Sequence, residues 1–94
     1  MMSSLPIDLK KVKKEDIDRE ILRVGMIAEL DAVNTYEQMA AQATNKHIKA
    51  MLLDIAREEK THIAEFQTML LKLDKEQVKE NVKGQKEIEE LLRK

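Results

Sequence analysis

Apolar residues recur every three or four positions through two long stretches of this chain, and this spacing restricts the fold more than any other feature. It lines apolar side chains along one face of an α-helix, whereas a half-buried strand needs strict alternation. The first stretch runs from Ile17 to Ala43 and the second from Ile48 to Leu73. The 94 residues include only two Gly and one Pro, too few for a chain with many turns. The sequence therefore predicts an all-α protein built on two long helices.

Composition excludes several classes of protein. The chain has no Cys, which removes a disulfide framework, a thiolate metal site and a Cys nucleophile. A net charge of -1, from 17 basic and 18 acidic residues, argues against nucleic acid as a main partner. No apolar run reaches the ~18 residues of a membrane span, and the N-terminus lacks the apolar core of a signal peptide. We therefore expect a cytosolic protein with neither nucleic acid nor a membrane as its partner.

The predicted elements fall into three segments. Residues 1–13 form an irregular arm, and residues 14–73 form an antiparallel hairpin with helices over 14–43 and 46–72. Thr44 and Asn45 mark the break, because either side-chain oxygen can cap the second helix. Residues 74–94 read as short helices. The first follows an Asp74 cap to about residue 82 and the second covers 85–93, with Gly84 as a C-terminal cap or hinge between them.

Three ionisable side chains interrupt the apolar faces of the two long helices. Glu59 and His62 lie mid-face on the second helix in a Glu-x-x-His spacing, so their side chains are one turn apart. Glu29 lies on the apolar face of the first helix at a matching distance from the turn. Burying an unpaired carboxylate costs several kcal/mol, which a cation would offset, and imidazole is a common metal ligand. The pattern predicts a metal site made by Glu29, Glu59 and His62.

A second interpretation needs no metal. Glu59 and His62 could be a hydrogen-bonded polar pair inside a non-catalytic helical interaction module.

Two further residues are candidates to support a metal site. Tyr36, two turns from Glu29 on the same face, is either a core residue or a hydrogen-bond donor to a ligand carboxylate. Glu65, one turn beyond His62, is a candidate to support the ligands.

One chain holds half of a familiar site. Di-iron carboxylate sites in four-helix bundles take a Glu from each of two helices and a Glu-x-x-His from each of the other two. This chain has two long helices, one such Glu and one Glu-x-x-His, so two copies related by a two-fold axis complete both the bundle and the site. A lone hairpin also buries its apolar face poorly. We therefore expect a four-helix bundle formed by a homodimer.

The two motifs resemble those of the encapsulated ferritins, ferritin-like proteins housed in encapsulin nanocompartments as cargo or fused to the shell protein. The residues concerned are Ile27-Ala28-Glu29-Leu30-Asp31-Ala32-Val33-Asn34-Thr35-Tyr36-Glu37-Gln38 and Ala56-Arg57-Glu58-Glu59-Lys60-Thr61-His62. The resemblance implies a two-helix protomer, a ferroxidase centre between subunits and an open ring of dimers, commonly a decamer. It assigns ligand roles to Glu29, Glu59 and His62, with Tyr36 beside the site and Asp31 on the route by which metal reaches it.

The resulting hypothesis is a ferroxidase inside a cytoplasmic encapsulin compartment. Two iron ions would bind per subunit dimer, Fe(II) would be oxidised by dioxygen, and the Fe(III) product would pass to a mineral store. A rubrerythrin-like di-iron peroxidase using the same ligands is the enzymatic alternative. It ranks lower because a chain without Cys carries no rubredoxin-type electron donor.

Overall fold

The computed structural model describes residues 8–94, and the part of the predicted arm over residues 1–7 lies outside them. Two 3-10 turns, Leu9–Lys11 and Lys14–Asp16, lead into the first long helix. Three helices follow: α1 over Ile17–Gln42, α2 over Lys46–Leu73 and α3 over Lys75–Leu92. No helix in the described part of the chain is long and apolar enough to cross a membrane.

The predicted hairpin is confirmed, and its turn is made as the sequence indicated. The Asn45 side chain accepts hydrogen bonds from the backbone N–H of His47, at 2.9 Å, and of Ile48, at 3.1 Å. These bonds satisfy two donors that a helix start otherwise leaves without partners. The first helix begins later than predicted, at Ile17, because residues 14–16 take the tighter 3-10 turn.

The prediction of short C-terminal helices is wrong. Residues 75–92 form one continuous α-helix, and Gly84 lies inside it with an ordinary negative φ rather than as a cap or hinge. A single glycine lowers helix stability by only about 1 kcal/mol relative to Ala. Its neighbours Lys83, Gln85 and Lys86 are good helix formers, so the helix continues through it.

We expect the Gly84→Ala variant to stabilise α3 by about 0.5–1 kcal/mol, because Ala loses less backbone freedom in a helix than Gly does. Apart from the nearby backbone of α3 itself, a Cβ added at this position would meet no atom of the described residues within 4 Å, so no steric clash opposes the gain. Slower amide hydrogen exchange in α3 is the expected result. Unchanged or faster exchange would contradict it.

Asp74 connects α2 to α3 and is the only buried charged residue among those described. Its Oδ1 accepts the backbone N–H of Gln77 at 2.9 Å, which caps α3 as predicted. Its Oδ2 accepts a hydrogen bond from Nη2 of Arg23, in α1, at 2.7 Å. The backbone hydrogen bond from Gln77 and the charge of Arg23 lower the pKa of Asp74, although burial acts in the opposite direction. Asp74 therefore joins the start of α3 to the open end of the hairpin.

A carboxylate whose pKa is lowered by folding stabilises the protein above its unfolded pKa, which is about 4 for Asp. That contribution is lost as the pH falls through the lower, folded pKa. We expect Asp74→Asn to flatten the fall in stability below about pH 4, because Asn still caps the helix but carries no charge. Urea unfolding curves across this pH range measure the effect, with Asp54→Asn, at an exposed Asp54–Arg57 pair, as the control. An identical pH dependence in wild type and Asp74→Asn would contradict the assignment.

The hairpin is one layer of helices with two open faces. The molecule measures 46 × 45 × 20 Å, and α3 makes few contacts with the hairpin. Five apolar residues are buried in the described chain, namely Val33, Ala40, Leu52, Ala56 and Leu70. Many larger apolar side chains stay exposed, including Leu30, Met51 and Met69, each just over half exposed. Such large exposed apolar surface is typical of a face that another chain covers.

Candidate metal centre

Glu29, Glu59 and His62 form one cluster between the two long helices. Nδ1 of His62 lies 3.3 Å from Oε2 of Glu59 and 3.5 Å from Oε2 of Glu29. One ligand atom from each of the three side chains can be chosen so that all lie within 4.8 Å of one another. The expected juxtaposition of α1 and α2 at this level is therefore present in the folded chain.

The separations fit a shared metal ion, and the 3.3 Å contact between His62 and Glu59 is also within hydrogen-bond distance. A charge-assisted N–H···O bond is usually about 2.7–2.9 Å long. Two ligand atoms that each lie about 2.1 Å from a common ion are roughly 3–3.5 Å apart at ordinary coordination angles. The His62–Glu59 and His62–Glu29 distances fall in this second range.

The two carboxylates of the cluster have few polar partners among the described residues. Oε2 of Glu29 is buried and has no hydrogen-bond partner among the described residues. His62 is the only basic side chain of the described part that lies within 4.0 Å of either Glu29 or Glu59. The neighbouring Lys60 pairs instead with Glu37, at 3.1 Å across the hairpin. An unsatisfied buried carboxylate oxygen is unfavourable, so the donor set fits a bound cation.

A groove of about 400 Å³ opens beside the cluster and gives it access to solvent. Its lining combines Glu29, His62 and Glu65 with apolar side chains of Leu22, Phe66 and Met69. Glu65 lines the same groove and is exposed, and its support of the ligands stays a prediction. The sequence placed the three apolar residues on the ligand-bearing faces but gave them no part in the site. His62, with 47% of its side chain exposed, is more open than Glu29 or Glu59, at 21% and 19%.

The two other candidate residues are not brought into the cluster. Tyr36 is half-buried on α1, and its hydroxyl makes no hydrogen bond to another described residue. Asp31 lines a different groove, of about 640 Å³, together with Asn34, Gln38 and Ile48 near the turn of the hairpin. The structure therefore separates Asp31 from the three clustered side chains, and its access role stays a prediction.

Known proteins match both the sequence and the fold. The Rubrerythrin family matches residues 20–93. A ferritin-like–encapsulin shell fusion protein of Pyrococcus furiosus is 51% identical over 82 residues, which are 87% of this chain and 24% of the fusion protein. The encapsulin nanocompartment cargo protein EncC of Myxococcus xanthus is 35% identical over 68 residues, which are 72% of this chain and 52% of EncC. The chain thus spans about a quarter to a half of the length of these relatives.

The crystal structure of an encapsulated ferritin domain from P. furiosus matches the fold. It superposes with a TM-score of 0.82 and 46% sequence identity, covering 97% of this chain and 95% of that one. The family match, the sequence relatives and the shared fold agree. The chain belongs to the ferritin-like proteins of the rubrerythrin family, and among them to the encapsulated ferritins.

Proposed function

We propose that the protein is a ferroxidase that oxidises Fe(II) to Fe(III) with dioxygen at a site shared by two copies of the chain. The observation that carries this proposal is the buried Oε2 of Glu29, which accepts no hydrogen bond from the described residues. It lies in one cluster with Glu59 and His62, and His62 is the only basic side chain of the described chain within 4.0 Å of it. Imidazole and carboxylate together are ligands that iron accepts, and hard carboxylate oxygens favour the Fe(III) product.

Two features support a dimer. One chain offers two carboxylates and one imidazole, which is half of the set used by di-iron sites in four-helix bundles. The hairpin also exposes large apolar side chains that a partner could bury. One of them, Met69, lines the groove beside the cluster, so this exposed apolar surface extends to the candidate site. A second copy packed on this face would supply both the missing ligands and the missing two helices.

Each side chain has a distinct task in this site. Glu59 and His62 of one chain would hold one iron, and Glu29, facing them from the opposite helix, would supply a further carboxylate. Fe(II) is the substrate: two ions would each give one electron to dioxygen, which would take up two protons and leave as hydrogen peroxide, and both ions would leave as Fe(III). In the proposed dimer the second copy would cover the groove lined by Leu22, Phe66 and Met69. Exclusion of water there would strengthen the electrostatic interaction of the ligands with the ions.

The names of the relatives support an encapsulin shell as the partner. They describe cargo proteins of encapsulin nanocompartments and a fusion to an encapsulin shell. We propose that this chain, too, works inside such a compartment in the cytoplasm and releases Fe(III) to a mineral store there.

Iron titration tests the proposal directly. Anaerobic addition of Fe(II) to the purified protein should saturate at one iron per chain, which is two per dimer. Admission of dioxygen should then produce the absorbance of Fe(III). Absence of saturable Fe(II) binding would contradict the assignment and favour the non-catalytic interaction module.

A peroxidase is the second candidate, because the matching family is that of the rubrerythrins. It would use the same three ligands but take hydrogen peroxide as the oxidant. Single-turnover oxidation of bound Fe(II) by peroxide and by dioxygen separates the two. A much faster reaction with peroxide would favour the peroxidase.

A further inference from the structure

Gly25 lies directly against the ring of Phe66. A Cβ built at position 25 would lie only 2.7 Å from Cδ1 and 2.8 Å from Cζ of that ring, closer than real Cβ contacts allow. The backbone does not need a glycine here, because Gly25 has no positive φ and lies inside α1. A helix-interior glycine costs about 1 kcal/mol relative to Ala. Glycine at position 25 is therefore explained by the ring of Phe66, which occupies the space that a Cβ would need.

This contact lies one turn from the candidate metal centre on both helices. Gly25 precedes Glu29 by four residues in α1, and Phe66 follows His62 by four residues in the antiparallel α2. Residues four apart lie on one face of a helix, so Gly25 shares a face of α1 with Glu29, and Phe66 shares a face of α2 with His62. The ring of Phe66 lines the groove beside the cluster with Glu29 and His62. The separation of α1 and α2 at this contact thus affects the separation of Glu29 from His62 one turn away.

We propose that Phe66 is a positioning residue of the metal centre, and that Gly25 is the gap in α1 that admits its ring. The contact sets how closely α1 and α2 approach, and it thereby sets the distance between Glu29 and the Glu59–His62 pair. This inference rests on the proposed function, since it assigns the spacing a role in holding metal.

Four variants separate this role from general stability. Gly25→Ala adds a methyl group where the ring lies, so the ring or the helix must move. Gly84→Ala makes the same change where no atom lies within 4 Å and is the matched control. Phe66→Leu shortens the facing side chain, and the double variant Gly25→Ala/Phe66→Leu should relieve the clash.

Co(II) is the metal probe, because its visible absorption spectrum reports the geometry of its ligands. We expect Gly25→Ala to weaken Co(II) binding by about 10-fold or more and to alter the spectrum, as loss of supporting contacts around a metal site commonly does. Gly84→Ala should match wild type, and the double variant should recover most of the affinity lost in Gly25→Ala. If Gly25→Ala alone does not fold, recovery of folding and of Co(II) binding in the double variant gives the same support.

A metal-free measurement distinguishes failure of this inference from failure of the proposed function. The protein has only two histidines, so the imidazole region of its NMR spectrum contains two residues' signals. At fixed pH and without metal, Gly25→Ala should shift the signal of His62 and leave that of His47, in the first turn of α2, unchanged. The double variant should give the same His62 signal as Phe66→Leu alone, which is the reference because loss of the ring itself changes the signal of the nearby imidazole.

Wild-type protein that binds neither Co(II) nor Fe(II) overturns the proposed function, and with it the metal-positioning role. Wild-type protein that binds metal, with Gly25→Ala matching it in affinity, Co(II) spectrum and His62 signal, overturns the inference alone. Equal impairment of Gly25→Ala and the double variant also overturns it, because the ring would then not be the cause.

Discussion

Glu29→Ala, Glu59→Ala and His62→Ala are each expected to slow Fe(II) oxidation by at least about 100-fold. Loss of a side chain that only hydrogen-bonds to a metal ligand already costs up to about 100-fold, and these variants remove the ligands themselves. The large effect follows from symmetry. In the proposed dimer each chain contributes to one shared centre, so a single substitution removes two ligands from it. Stopped-flow absorbance of Fe(III) formation, on protein with verified helix content, measures the rates.

Two further variants serve as controls: one removes a carboxylate next to Glu59 in the sequence, and the other removes the second histidine. Glu58→Ala removes a carboxylate adjacent to Glu59 but from an exposed position outside the cluster. His47→Ala removes the other histidine, which is exposed at the start of α2. Both should oxidise Fe(II) as wild type does. Unchanged rates in all three ligand variants would refute the ferroxidase assignment.

Removing metal is expected to dissociate the dimer and lower the unfolding temperature. A ligand that binds only the assembled state stabilises it by about 2.7 kcal/mol when its free concentration is 100 times its dissociation constant. The isolated hairpin has little buried apolar surface with which to replace this contribution. Native mass spectrometry of protein with Fe(II) and with a chelator should show a shift towards single chains, and thermal scans should show a lower unfolding temperature.

The His62→Ala variant provides the control for this shift. Its assembly state should no longer respond to the chelator, because the metal has lost a ligand from each chain. Wild-type protein that stays a single chain while holding its metal would contradict the shared site. Native mass spectrometry also tests the expected ring, since assemblies should appear at even numbers of chains.

The parts of the fold that depend on local physics could be predicted from the sequence. Apolar spacing identified α1 and α2, and the short polar break at Asn45 identified the turn, because a cap is made by residues two or three positions away. The short turn then placed Glu29 opposite Glu59 and His62, since two antiparallel helices leave little freedom in level. The cluster follows from this register.

Features that depend on contacts between distant residues could not be predicted in this way. Arg23 and Asp74 are 51 positions apart, and nothing in their local sequence pairs them. Nothing in the local sequence distinguishes the two glycines, yet Gly25 lies against the ring of Phe66, whereas Gly84 faces open space on a continuous helix. The sequence predicted two helices here because Gly has a low helix propensity, but the helix-forming residues around Gly84 outweigh this cost.

The thin, single-layer hairpin has a consequence for where its chemistry can occur. On the proposed assembly, complete centres form from pairs of chains, so at low concentration their number rises with the square of the amount of protein. Chains gathered inside a shell would be mostly paired, whereas chains released into dilute surroundings would carry half-centres. Confinement would therefore restrict iron oxidation to the volume in which its insoluble product is collected.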